Sequence, residues 1–248
     1  MTDEIQLHEV VKEKPLLHSA RLIHRTHDAE RLIAFCARVS NPAGQDNENI
    51  AGLLRYCARH GHFSIFEMAS LCVEIYTTRM ISAQICRHRS FHIQEFSQRY
   101  ADVAAIGLGS AEGFHSQGLG LPPADADMPE LRRQDTKNRQ NSINDLPEPL
   151  QQSFTWEMAQ HFAKGEQLYH RMLQEGVAKE CARAVLPMHS PTKMYVHATL
   201  RDWAFYLKLR LGNGTQREHQ YVARSVADIY EKEFPTIYEA LILKDPES

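Results

Sequence analysis

The side chains best suited to chemistry crowd into one run, Arg87-His88-Arg89-Ser90-Phe91-His92-Ile93-Gln94-Glu95-Phe96-Ser97-Gln98-Arg99-Tyr100. Two guanidinium groups and an imidazole come first, and Glu95, Ser97 and Arg99 alternate a little further on. In an extended segment alternate residues share a face, which would put a carboxylate, a hydroxyl and a guanidinium within reach of one ligand. Guanidinium donors suit phosphate, and a carboxylate accepts from sugar or amide groups. Two plainer readings compete. Arg87, His88 and Arg89 also make a good solvated helix end, since cations there suit the macrodipole. With Phe91, Phe96 and Tyr100 for stacking, the same cluster could bind single-stranded nucleic acid. His88 and His92 have the i, i+4 spacing of a helical metal pair, but the flanking arginines repel a divalent cation and no His-Glu-x-x-His occurs, so no metal site is expected. Cys86 beside Arg87 invites a low-pKa nucleophile; a buried small hydrophobe is the preferred reading.

Elements must carry these residues. Ser19 to Thr26 alternates like a strand, and Asp28 to Arg38 follows as a helix with Asp28 as N-cap. Asn49 to His60 reads as a helix with Ile50, Leu53, Leu54 and Cys57 on one face, ended by Gly61. Ala69 to Thr77 is rich in strand formers and reads as a central strand, and Thr78 to His88 as the helix that delivers the basic cluster. From Ala101 to about Leu150 glycine, proline and polar residues replace any period, which predicts a long irregular insertion with a short helix near Glu130 to Arg139. Helices are expected over Phe154–Gln174, Val177–Leu186, Asp202–Leu211, Thr215–Glu233 and Thr236–Leu243, with a strand at Lys193–Leu200. The fold class expected is α+β: a central, mainly antiparallel sheet with packed helices, in a single domain spanning 1–248.

Composition narrows the partners. A net charge of -3 argues against a nucleic-acid binder held by overall charge. Arginine outnumbers lysine 19 to 9, a bias that suits planar anionic ligands. The five cysteines are scattered without a Cys-x-x-Cys pair, so neither a disulfide framework nor a thiolate zinc site is expected. Met1 to Lys14 has no apolar leader and no later stretch approaches a membrane span, so the expectation is a cytoplasmic protein with no membrane partner.

Arg-His-Arg, seven residues and then Ser resembles the signature of the flavin-dependent thymidylate synthases, and Gln98-Arg99-Tyr100 continues it. Further blocks resemble that family in order: Ala37-Arg38-Val39-Ser40, Gly61-His62-Phe63-Ser64-Ile65-Phe66-Glu67, Cys181 to Pro187, and Leu209-Arg210 with Gln216 and Glu218. The resemblance implies FAD as cofactor, NADPH and methylenetetrahydrofolate as cosubstrates, and methylation of dUMP to dTMP in a homotetramer with active sites at subunit interfaces. It assigns flavin contacts to Ser64, Arg87, His88, Arg89, Glu95, Thr199 and Arg201, and places His62 near flavin and folate. The nucleotide side falls to Gln84, Arg87, Glu95, Phe96, Ser97, Gln98, Arg99, Arg183 and Arg210, with Arg210 as the catalytic arginine. Two residues depart from the family's pattern: Thr199 stands where asparagine is common, and Phe205 where a polar flavin contact is usual.

Overall fold

The computed structural model describes residues 16–106 and 128–243. Its frame is a four-stranded antiparallel sheet in the order β1-β2-β6-β3. Strand β2, Ser70–Thr78, is the spine, paired on one side with β1, Ser19–Arg25, and on the other with β6, Pro191–Thr199. Its β-branched and aromatic run is buried along nearly all its length, as a strand with two neighbours and a covered face requires. Strand β6 instead alternates buried Thr192, Met194, Val196 and Ala198 with more exposed Lys193, Tyr195 and His197. One sheet face therefore meets the core while the other carries Arg21, Glu74, Tyr195 and His197. Strand β3, His92–Glu95, completes the edge.

Helices α1, Ala29–Ala37; α2, Ile50–Arg59; α3, Arg79–Ile85; α6, Leu200–Arg210; and α7, Arg217–Glu233 cover the apolar face, while α4, Glu148–Gln174, and α5, Lys179–Ala182, bury Tyr169 and Ala182 in a second, smaller core with Tyr76 of β2. The core joins Ile33, Leu54, Phe66, Leu71, Ile75, Trp203, Leu207, Val226 and Tyr230. Two of its large polar-tipped rings are satisfied by backbone: Trp203 Nε1 donates to the Leu71 carbonyl at 2.9 Å and Tyr230 O–H to the Leu200 carbonyl at 2.9 Å. Helix α2 starts where Asn49 accepts from the Gly52 N–H, and the chain leaves it through Gly61 at φ 71, a conformation that favours glycine.

Several sequence expectations need correction. Asp28 is no side-chain cap: its φ of 46 is left-handed and its side chain makes no cap bond. Helix α3 stops at Ile85, so Arg87, His88 and Arg89 lie in the turns that follow. The extended run expected through Arg99 ends at Glu95. Phe96 N–H still donates to the Lys193 carbonyl, but the ladder with β6 goes no further, because the chain turns at Ser97, whose carbonyl accepts the Tyr100 and Ala101 N–H groups. Glu95, Ser97 and Arg99 consequently do not share a strand face. The helix expected near Glu130 to Arg139 is a small hairpin, β4 Arg133–Gln134 and β5 Ser142–Ile143. Asp135 closes it by accepting the Lys137 and Asn138 N–H groups at 2.8 and 3.2 Å, an Asx-type turn. Gly107 and Gly109 of the expected insertion lie outside the described residues. Helix α4 begins at Glu148 rather than Phe154, and the helix expected over Val177–Leu186 is the short α5 followed by a 3-10 turn, Arg183–Val185.

Candidate functional site

Three elements converge behind the basic cluster: the end of α3, the last turn of α6 and the first turn of α7. Arg210, in that last turn of α6, donates from Nε to Nε2 of His88 at 3.0 Å. The imidazole is held in place by rings, lying nearly parallel to Phe91 at 5.4 Å and edge-on to Tyr206 at 4.9 Å. Burial, and then the charge of Arg210, push His88 down to about 4. It is therefore neutral at pH 7, with Nε2 as acceptor and its proton on Nδ1. Arg210 is itself pulled down by burial, an effect Tyr206 opposes and neighbouring Arg87 adds to. Its terminal nitrogens have no hydrogen-bond partner among the described residues.

A polar chain runs beneath this pair. Tyr206 Oη lies 3.1 Å from His219 Nε2, His219 Nδ1 lies 3.1 Å from Gln84 Oε1, and Gln84 Nε2 donates to Gln216 Oε1 at 2.7 Å. Next to it, Glu218 is clamped by Arg132 Nη2, 3.0 Å from each carboxylate oxygen. Arg132 comes from the irregular segment before α4, so this ion pair ties the insertion to the site.

A second group sits at the sheet edge. Glu95 Oε1 accepts from Thr192 Oγ1 at 2.9 Å and pairs with Arg79 at 2.5 Å, leaving Oε2 without a donor among the described residues. Cys86 lies near enough to Glu95 and Arg79 to feel both charges, which places this group beside the first. The residue is exposed, yet partial loss of water around its sulfur, followed by the charge of Glu95, raises its pKa. The buried-hydrophobe expectation for Cys86 is thus corrected, and the low-pKa nucleophile has no support. Gln98 is buried with its Nε2 unpartnered. Arg99 bonds Glu180 at 3.1 Å on the surface.

The third group lies at the other end of α6. Ser64 is exposed in a 3-10 turn, Phe63–Glu67. Arg201 pairs with Glu67 and lies 5.5 Å from the centre of the Phe205 ring, which meets Phe63 edge-on at 5.3 Å. Thr199 caps α6, its hydroxyl 3.2 Å from the Asp202 N–H and 2.7 Å from the Asp202 carboxylate. About nine residues of helix, ~13 Å at 1.5 Å each, separate Arg201 from Arg210. No hydrogen bond or ion pair among the described residues joins this group to the other two. Arg87 and Arg89 are exposed and Arg183 half-buried, none with a carboxylate within 4.0 Å among the described residues.

Sequence reasoning missed Arg79, Thr192, Tyr206, His219 and Arg132, whose roles depend on partners far away in the chain. A cavity of about 350 Å³ opens elsewhere, between Leu131, Arg132 and the α4 side chains Phe154, Met158 and His161. It holds none of the basic cluster, so the polar convergence around Arg210 is the better guide. Among the described residues no group of three His, Cys, Asp or Glu side chains could hold a metal ion, and no helix is long and apolar enough to cross a membrane.

Known proteins share this chain's sequence and fold. The profile of the thymidylate synthase complementing protein family matches residues 21–236. A probable flavin-dependent thymidylate synthase of Paramecium bursaria Chlorella virus 1 is 46% identical over 221 residues, 89% of this chain and 94% of that protein. A flavin-dependent thymidylate synthase of Synechocystis sp. is 42% identical over 212 residues, 86% of this chain and 89% of its own. Among solved structures, the UMP/dUMP methylase PolB from Streptomyces cacaoi, bound with 5-Br dUMP, superimposes with a TM-score of 0.74 at 23% identity, covering 92% of this chain and 96% of that one. At that identity the likeness speaks to the fold.

Proposed function

The chain belongs to the thymidylate synthase complementing protein family, the flavin-dependent thymidylate synthases, and from that membership we propose that it converts dUMP to dTMP with FAD, using methylenetetrahydrofolate as one-carbon donor and NADPH as reductant. The observation that carries the reading is a set of guanidinium groups, Arg87, Arg89, Arg183 and Arg210, without carboxylate partners among the described residues of a chain whose net charge is -3. Of these, Arg87 and Arg210 lie close enough to repel one another, a repulsion that an anion between them relieves, and two phosphate-bearing ligands supply anions.

When bound, the flavin supplies the reducing equivalents that complete the methyl group. The chain's own side chains bind, orient and polarise. Uracil C5 is a poor nucleophile until electron density is pushed into the ring. Arg210 stabilises the negative charge that develops along the N3 and carbonyl edge, and neutral His88 holds its Nε without adding a competing positive charge. Arg87, Arg89 and Arg183 take phosphate oxygens. Glu95 accepts a ligand donor on Oε2, and the unpartnered Gln98 Nε2 donates to an acceptor. Gln84, Phe96, Ser97 and Arg99 complete the nucleotide wall. Ser64 and Arg201 serve the flavin, with Thr199 fixing the helix start beneath Arg201.

The working unit is a homotetramer with its sites between subunits. The exposure of Ser64, Arg87 and Arg89 and the separation of the Arg201 end from the other groups support that reading, since a neighbouring subunit would close the gap. Each chain acts as one domain over 1–248. All five cysteines are free, the state of a reducing compartment, which supports a cytoplasmic location. The test is dTMP formation by the FAD-loaded protein from dUMP, NADPH and methylenetetrahydrofolate. Turnover should vanish when any one is omitted; no dTMP from the full mixture, or dTMP without a reductant, overturns the proposal.

A further inference from the structure

The polar chain under Arg210 has only one sensible direction. At its far end Gln216 Nε2 meets the Met80 sulfur at 3.7 Å, and a thioether can only accept. Gln216 therefore turns its oxygen to Gln84, Gln84 gives it an N–H, and the Gln84 oxygen faces His219. The imidazole must then carry its proton on Nδ1 and accept on Nε2 from the Tyr206 hydroxyl. Reversing the chain would set the Gln216 oxygen against sulfur. It would also leave the Tyr206 O–H, on a ring that is 1% exposed, with no acceptor among the described residues. A charged His219 would break the logic, but burial, aided by Arg210, pushes it down to about 3.

We propose that Tyr206 and His219 are positioning residues that lock the Gln84 carboxamide with its oxygen turned away, so that Gln84 offers the nucleotide one N–H and selects an acceptor atom. This rests on the reading that Gln84 touches the nucleotide. The locked amide favours a carbonyl or phosphate oxygen and penalises a ligand donor such as an exocyclic amine. The Tyr206 ring also packs edge-on against Trp203 at 5.5 Å and beside Phe91 at 5.2 Å, contacts that phenylalanine keeps.

In the FAD-loaded full-length protein, Tyr206→Phe should raise the KM for dUMP about tenfold, the worth of roughly one hydrogen bond. Its kcat and flavin content should stay close to wild type. In a Gln84→Ala background the same substitution should change nothing further. His219→Asn, which retains a donor toward Gln84, should keep more affinity than His219→Leu. Affinities for dUMP and dCMP locate the oxygen: a narrowed preference for dUMP in Tyr206→Phe marks the C4 carbonyl, where dCMP carries an amine, and an equal loss for both marks the phosphate or the C2 carbonyl that the two share. If Gln84→Ala alone leaves dUMP affinity intact, the contact fails and the proposal with it. If Gln84→Ala weakens dUMP but Tyr206→Phe does not, or Tyr206→Phe costs as much without Gln84, the contact survives and the positioning role is wrong.

Discussion

Removing Arg132 should show how far the site leans on the irregular segment before α4. Its guanidinium is almost fully spent: Nη2 reaches both oxygens of Glu218 at 3.0 Å, Nη1 reaches Glu130 at 2.9 Å, and Nε donates to Ser142 Oγ at 2.9 Å. The side chains of Arg132 and Glu218 are 8% and 5% exposed, so solvent does little to screen the pair. Arg132→Ala would strand a carboxylate in the first turn of α7, beside His219. Breaking a buried pair from one side costs roughly 3–5 kcal/mol. In a chain of this size each kcal/mol moves the unfolding midpoint by about 2–4 °C, so a fall of about 6–20 °C is expected in a thermal melt. Arg132→Ala with Glu218→Gln should recover part of that loss, because a neutral amide is cheaper to bury alone. Arg133→Ala is the control: its pair with Asp145 is 44% exposed on each side and its loss should scarcely move the melt. An Arg132→Ala midpoint as close to wild type as that of Arg133→Ala would refute the clamp.

Arg210→Ala should lower kcat by about 10²–10³ while the protein stays yellow; retained turnover would remove Arg210 from the chemistry. Cys86→Ser and Cys181→Ser should keep turnover, since neither exposed thiol is given a role; loss of turnover in either variant would reopen covalent catalysis. His18, His88 and His219 are held at about 4, 4 and 3 against an ordinary 6.5, each chiefly by burial. The unfolded chain therefore takes up these protons first, so their contribution is complete above about pH 6.5 and is lost as the pH falls toward 4. Melts recorded from about pH 8 to 5 should decline below 6.5, and a flat profile there would contradict the neutral assignments.

Much of the frame could be read from local patterns. The apolar run of β2 and the cap and stop of α2 at Asn49 and Gly61 are properties of neighbouring residues, and the fold preserves them. What failed depended on distant partners. Strand β3 stops opposite Met194 although β6 runs on to Pro191, because the backbone turns at Ser97, which no pattern around Glu95 reveals. Arg132 lies in a stretch without period and finds Glu218 86 positions away. Cys86 ends the helix that Arg79 begins, and Glu95 reaches it from β3, so its exposure and charge surroundings were not visible in its immediate neighbours. The basic cluster was legible because several charged and polar side chains fall within one short run. The Tyr206–His219–Gln84 chain was not, because its members come from three helices and look like ordinary core residues when read singly.

The most direct test of the account follows the visible absorption of the FAD-loaded protein while dUMP is added. If the guanidinium groups and Gln84 gather nucleotide and flavin into one pocket, the flavin band should shift saturably with dUMP, and Arg183→Ala should move the half-point to higher concentration. A colourless protein that takes up no FAD, or a flavin band indifferent to saturating dUMP, would contradict it.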